Sequence, residues 1–223
     1  MQRDFDFIAE LQQGCKALDL PELDNETFDR LYIYFKELKR WKKKINLIAR
    51  KATDNDILEK HFLDSLTLLP LLTGDQAHLL DIGTGAGFPG LVCKAAKPEL
   101  ELTLVEPRQK RVAFLSHITR TLELKNVFIL DCRVEDEARL VSDGSFTHIT
   151  SRAVNEVRLF LDMSSRFMKN GVQVICMKGP KWQEELSIWE QNQNFRQYTM
   201  RFHKEYRLPQ SQVERHLLVF EQI

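Results

Sequence analysis

The sequence predicts an α/β protein. A mostly parallel sheet is covered by helices, a small helical region precedes it, and an antiparallel hairpin closes it. Three observations carry this reading. Short apolar runs alternate with helix-like segments from Ala77 onward, the pattern of a parallel sheet with helical crossovers. The first run leads straight into a glycine-rich turn. The last two strand candidates are joined through Leu208-Pro209 by five residues, too few for a crossover helix. Residues 1–75 are expected to form the helical region and 76–223 the core.

In the helical region, Phe28, Leu31, Tyr32, Phe35 and Leu38 follow a helical period. Asp24 and Asn25 are suited to cap that helix, and lysines gather at its far end, where the helix dipole favours cations. A further helix begins at Thr53, which has capping-box spacing with Asp56. Its apolar face is Leu58, Phe62, Leu66 and Leu69. His61 and Ser65 stand one turn apart beside that face. Buried polar groups need partners. Asn46, His61, Asp64 and Ser65 therefore either pin the helices onto the sheet or line a cleft and hold a substrate. The strands expected next are His78–Ile82, Glu101–Glu106, Val127–Leu130, Thr147–Thr150 and Val172–Met177. The hairpin is expected over Tyr198–Arg207 and Val213–Gln222.

Composition narrows the class. The 223 residues, 43% hydrophobic and 29% charged, suit a globular protein able to bury a core without disulfide or metal support. The start of the chain has no apolar run after a basic end, so no secretory signal is expected. The apolar stretch around Leu66–Leu72 is too short to span a bilayer and contains Pro70. A cytoplasmic protein without membrane attachment, acting as a monomer, is the expectation. Cys15, Cys93, Cys132 and Cys176 are widely spaced and make no Cys-x-x-Cys pair. Reduced, mostly buried thiols and no metal site are expected. The 32 basic and 32 acidic residues cancel. Locally, however, Lys36, Lys39, Arg40, Lys42, Lys43, Lys44, Arg50 and Lys51 face Glu37 alone. That stretch either holds phosphates or is a solvated helix end.

The glycine turn reads Leu80-Asp81-Ile82-Gly83-Thr84-Gly85-Ala86-Gly87-Phe88-Pro89-Gly90. Ligands of open α/β sheets sit beyond the carboxyl ends of the strands, and glycine lets the backbone approach them closely. A dinucleotide loop of the Gly-x-Gly-x-x-Gly type would need glycine at 88, where Phe88 stands. Gly-x-Gly-x-Gly after Leu-Asp-Ile is the spacing of Rossmann-like methyltransferases. Asp81, Gly83, Gly85, Gly87 and Phe88 are the loop candidates for cofactor binding. Glu106 closes the second strand about twenty residues further on, where a carboxylate accepts both hydroxyls of a ribose. A nucleoside-containing cofactor follows, and only the loop spacing separates S-adenosylmethionine from NAD. In Asp131-Cys132-Arg133-Val134-Glu135-Asp136, Val134 and Glu135 edge the place of an adenine. Glu135 is the candidate acceptor for its amino group, and Val134 offers backbone contact.

The fourth strand ends in Thr150-Ser151-Arg152-Ala153-Val154. It carries neither the Asn/Asp-Pro-Pro-aromatic motif of base-amino methyltransferases nor a cysteine nucleophile. Guanine N7 has a lone pair and no proton, so its methylation needs no general base and no covalent intermediate. It needs proximity and orientation. Arg152 is the candidate positioning residue, with a structural salt bridge as its alternative. Lys178, at the end of the fifth strand, either meets substrate or RNA phosphate or is a solvated strand end.

Together, Ile45-Asn46-Leu47-Ile48, His61-Phe62-Leu63-Asp64-Ser65-Leu66, Asp81 to Gly90, Lys110-Arg111-Val112-Ala113-Phe114-Leu115, Arg133-Val134-Glu135, Ser151-Arg152-Ala153 and Met177-Lys178-Gly179 resemble the RsmG (GidB) family. These are guanine-N7 methyltransferases of bacterial small-subunit ribosomal RNA. The resemblance covers most of the chain. It implies a Rossmann-like class I methyltransferase with a seven-stranded sheet. It also implies methyl transfer from S-adenosyl-L-methionine to N7 of a guanine in 16S ribosomal RNA, near the decoding region. The implied partner is that RNA or the small subunit, and the implied cofactor contacts are Gly83, Phe88, Val134, Glu135 and Arg152. Glu106 departs from the aspartate of many relatives, and Ile48-Ala49-Arg50 is a looser match than Asn46-Leu47.

Overall fold

The computed structural model describes residues 5–74, 76–135, 146–152, 156–167, 171–191 and 197–223. Asp136, Ala153 and Val154 of the sequence motifs lie outside them. The helical region contains α1 (Phe7–Ala17), α2 (Asn25–Trp41), α3 (Asp54–Ile57), a π-helical turn (Leu58–Leu63) and α4 (Asp64–Leu66). The first N–H groups of a helix have no intrahelical acceptor and need a cap. Asp6 supplies one to Ile8 and Ala9, and Asp24 accepts from the Thr27 N–H at 2.7 Å. The Thr53–Asp56 capping box forms reciprocally as expected.

Two features depart from the sequence reading. The buried face of α2 includes Tyr34, whereas Tyr32 is 37% exposed with the Lys36 ammonium 4.5 Å above its ring. Positions 31, 34, 35 and 38 share one face, and position 32 points roughly 100° away from its neighbour 31. The helix after Thr53 also widens into the π turn. Inside that turn the Lys60 carbonyl accepts from Arg152 Nη1 at 2.7 Å.

The sheet comprises β1 (His78–Ile82), β2 (Glu101–Val105), β3 (Val127–Leu130), β4 (His148–Ser151), β5 (Gln173–Lys178), β6 (Tyr198–Arg207) and β7 (Glu214–Gln222). Its order is β3-β2-β1-β4-β5-β7-β6. The first five strands run parallel, and β7 pairs antiparallel with β5 and β6. The crossover helices are α5 (Gly90–Ala96), α6 (Gln109–Thr121), α7 (Val157–Ser164) and α8 (Trp182–Glu190). Every position of β1 is buried, as a central parallel strand covered on both faces requires. The order of strand succession reverses between β1 and β4, which opens the crevice where α/β sheets hold ligands.

Side chains alternate across the sheet. Leu79 joins a core with Leu91, Phe114 and the helical-region residues Phe7, Leu31 and Phe62. Leu80 faces the other way, toward Ile149, Phe160 and Val174. Among the described residues no helix is long and apolar enough to cross a membrane. The hairpin is tied back to the helical region by charge. Glu59, 2% exposed, accepts from the backbone N–H groups of Gln210 and Ser211 at 2.5 and 2.9 Å. Replacing Glu59 by Ala strands both donors and is expected to cost about 2–4 kcal/mol in urea unfolding. A loss below about 0.5 kcal/mol would show these bonds to be replaceable by water.

Candidate functional site

The glycine turn is held on three sides. From below, Asp81 at the end of β1 accepts from Thr84 Oγ1 at 2.7 Å and from the Gly90 N–H at 2.8 Å through Oδ2. Its Oδ1 is buried with no partner among the described residues. Burial raises the Asp81 carboxyl to about 6, against the pull of the Thr84 and Gly90 bonds. From above, the Tyr34 hydroxyl donates to the Ala86 carbonyl. From the side, Glu106 accepts from the N–H groups of Gly85 (3.1 Å) and Arg108 (2.9 Å) and from Arg111 Nη1 (3.3 Å). Gly87 has φ +92, and a Cβ there would meet Leu91 Cβ at 2.8 Å and the Tyr34 hydroxyl. Glycine at 87 is thus required by the packing of Leu91 and Tyr34 against the turn. Beyond β3, Val134 is buried and Glu135 exposed. The Val134 carbonyl already accepts from the Arg166 guanidinium, so the backbone contact expected of Val134 falls to its N–H.

A cavity of about 390 Å³ brings together His61, Asp64, Arg152 and Lys178, four of the sequence candidates, with Lys60 and Arg215. Arg152 follows β4 and spans the cavity floor. It donates to the Lys60 carbonyl and, at 2.9 Å, to His61 Nδ1, and its Nη1 lies 3.7 Å from Asp64 Oδ2. Phe88, next after the glycine turn, is buried behind two of the lining side chains. His61 stacks on it at 4.8 Å and 28°, and the Arg152 guanidinium lies 5.1 Å from its centroid. Burial, Arg152 and Lys60 lower the His61 pKa to about 3, so the imidazole is neutral. Asp64 is pushed up by burial and pulled down by Arg152, Arg215 and a 2.8 Å bond from the Tyr206 hydroxyl. Lys178 pairs with Glu185 at 2.8 Å.

Two candidates stand elsewhere. Ser65 is fully buried and bonds through its hydroxyl to the His61 carbonyl, so it is part of the helix packing. Asn46 is exposed, and its carbonyl meets Arg111 Nε at 3.4 Å beside a different cavity. Sequence reasoning missed Tyr34 as a loop anchor and Arg215 as a cavity cation. Arg215 arrives only because β7 pairs with β5, opposite Lys178 and its neighbours.

The basic stretch divides. Lys39 pairs with Asp54 at 2.6 Å and Lys42 donates to the Ala52 carbonyl at 2.8 Å. Lys44 and Arg50 instead join Arg108, Lys110 and Arg111 around a cavity of about 380 Å³. The last three lie at the start of α6, whose first turn carries no acidic residue. Cations at the positive pole of a helix are unfavourable unless an anion joins them. A larger cavity of about 690 Å³, lined by Phe5, Tyr32 and Phe35 among others, shares no residue with these sites.

Asp81 makes stability pH-dependent. Its folded pKa of about 6 exceeds the ordinary 3.8. Between those values the native chain holds a proton that the unfolded chain has lost, so stability falls as pH rises from about 4 to about 6. With no ligand added, the stability advantage of Asp81→Asn over the parent should grow by about 3 kcal/mol between pH 4 and pH 7. A flat difference across that window would refute the buried-carboxyl reading.

Residues 27–218 match the family model GidB, described as rRNA small subunit methyltransferase G. The ribosomal RNA small subunit methyltransferase G of Desulfotalea psychrophila is 51% identical over 215 residues, covering 96% of this chain and 98% of that protein. The Syntrophus aciditrophicus protein of the same name is 39% identical over 165 residues, covering 74% of this chain and 68% of its own length. Among solved structures, M. jannaschii TYW2 in complex with AdoMet superposes with a TM-score of 0.56 at 14% identity, covering 81% of this chain and 80% of that one, a likeness of fold. With its motifs, its sheet order and a family match across most of its length, the chain belongs to the GidB family, the small-subunit ribosomal RNA methyltransferases G.

Proposed function

We propose that the chain transfers a methyl group from S-adenosyl-L-methionine to N7 of a guanine in 16S ribosomal RNA of the small subunit, near the decoding region. The observation that carries this is the Phe88 ring, which follows the glycine turn and lies against His61 and Arg152 of the cavity. The turn suited to a nucleoside cofactor and the charged cavity suited to a nucleotide meet at one ring. In this reading residues 76–223 form the cofactor-binding core and residues 1–75 complete the substrate side.

The residues present fit the cofactor. At Gly85 nothing stands closer to a Cβ position than Arg111 Nη1 at 3.7 Å, which leaves room for close backbone contact, and Glu106 would hold the ribose hydroxyls. Asp81 Oδ1 is a buried acceptor in need of a donor, which the cofactor's ammonium provides. Val134 and Glu135 would edge the adenine. S-adenosylmethionine, when bound, supplies an electrophilic methyl group on a sulfonium. The chain's own work is then orientation and exclusion of water. Asp64 is engaged by Tyr206, Arg152 and Arg215, and His61 Nδ1 by Arg152. Neither is placed as a free base, and N7 requires none. The four cysteines are free and buried, in keeping with a reducing cytoplasm.

Methyl-labelled S-adenosylmethionine and unmodified small-subunit RNA, free or assembled, should yield label at N7 of a single guanine. No label in either preparation, with cofactor still bound, would remove the substrate assignment. The cavity at Lys44, Arg50 and Lys110 is proposed to hold RNA phosphates. Changing all three to Ala should weaken RNA binding at least about tenfold at ~0.1 M salt. It should also flatten the slope of log affinity against log salt by roughly 0.7–0.9 for each phosphate that is no longer neutralised. Cofactor affinity should hold. An unchanged slope would place the RNA backbone elsewhere.

A further inference from the structure

His61 has a fixed proton. A guanidinium can only donate, so the 2.9 Å bond from Arg152 Nη2 makes His61 Nδ1 an acceptor. The ring is neutral, since burial and the cations Arg152 and Lys60 oppose its protonation. The single imidazole proton therefore sits on Nε2. No bond links Nε2 to any described residue, although the ring lines the charged cavity. Stacking on Phe88 holds the ring's plane relative to the glycine turn. The cavity thus presents one neutral, oriented N–H beside cations that are themselves paired.

We propose that His61 is the residue that reads guanine, donating its Nε2–H to guanine O6 while leaving N7 open toward the methyl donor. This rests on the guanine-N7 reading above and deepens it. The edge of guanine that carries N7 also carries O6, a second acceptor, whereas adenine carries an amino donor at that place. A neutral N–H fixed at Nε2 accepts the first and opposes the second. A donor bonded to O6 also leaves the N7 lone pair unprotonated. Sites built to hydrogen-bond a particular group reject analogues that lack it far more strongly than sites that merely enclose it.

The test is a cycle between enzyme and base. Small subunits are reconstituted with guanosine or 2-aminopurine riboside at the target position; the analogue keeps N7 and lacks O6. With the parent enzyme the analogue should lower kcat/KM about 30-fold. With His61→Phe the two RNAs should differ less than about threefold, because the group that O6 would meet is gone. His61→Gln, which returns an N–H near the Nε2 position, should restore discrimination. Any intrinsic change in N7 reactivity cancels in the cycle, and so does a general loss of packing at Arg152. An analogue penalty in His61→Phe equal to the parent's would overturn the assignment while leaving the N7 reading intact. Failure of the parent enzyme to modify N7 in the guanosine subunit would overturn both. Should His61→Phe fail to fold, nitrogen-15 histidine spectra of the parent enzyme decide the matter. The His61 Nε2 proton should move downfield with the guanosine RNA and stay in place with the analogue; equal movement with both would refute the proposal.

Discussion

A guanidinium carries five donors and a charge it does not shed, so a partly buried one must be met by acceptors from whatever surrounds it. Arg152 stands at the carboxyl end of β4, beside the crevice, and among the described residues its acceptors come from the helical region: the Lys60 carbonyl, His61 Nδ1 and the Asp64 carboxylate. Its guanidinium carbon lies 5.1 Å from the ring centroid of Phe88, next after the glycine turn. One side chain therefore sets the sheet, the N-terminal helices and the loop in register. The π turn belongs to the same constraint, because the carbonyl that meets Arg152 lies within it. Such turns occur mostly where a helix serves a site. Removing Arg152 would leave Asp64 buried with one cation fewer, and breaking a buried pair from one side costs about 3–5 kcal/mol.

Asp64 extends the linkage to the hairpin. It takes the Tyr206 hydroxyl from β6 and lies 3.5 Å from Arg215 on β7, so the last two strands are fixed against the helices that precede the sheet. The carboxylates at the ends of β1 and β2 have different tasks. Asp81 is sealed under the turn, where it shapes the loop with one oxygen and leaves the other unmatched. Glu106 is equally buried, but both of its oxygens have partners, two backbone N–H groups and Arg111, and Oε1 keeps acceptor capacity for a ligand. The loop is rigid because Asp81, Glu106 and Tyr34 grip it from different elements.

What local rules govern was legible in the sequence. The caps at Asp24 and Thr53, the strand β1 and the glycine turn each follow from spacing within a few residues, and each stands where expected. Strands β4 and β5 begin one residue later than their apolar runs suggest. What depends on distant partners was not legible. Tyr34 matters because Ala86 lies above it, and no helical period shows that. Arg215 enters the cavity through the β5–β7 pairing. His61 and Ser65 look equivalent on a helical wheel, yet Ser65 turns inward with Cys93 Sγ donating to its carbonyl. The basic stretch reads as one patch, but its near half is consumed by Asp54 and the Ala52 carbonyl, and only its far half meets α6.

The balance of charge in the cavity bears on the proposed chemistry. Methylation at N7 turns a neutral base into a cation, so positive charge aimed at the base would oppose the reaction. Arg152, Arg215 and Lys178 nevertheless line the cavity. Each has a carboxylate close by: Asp64 serves the two arginines, and Glu185 serves Lys178. With Lys60 and its partner Asp56 included, three carboxylates against four cations leave an excess that phosphates flanking a nucleotide would neutralise. The imidazole among these cations stays neutral because burial first, and then Arg152 and Lys60, oppose its protonation. An imidazolium at that place would add a second positive charge beside the forming one. Holding His61 neutral thus keeps the cations' work on phosphate separate from the handling of the base, and Arg152 enforces both parts through a single guanidinium.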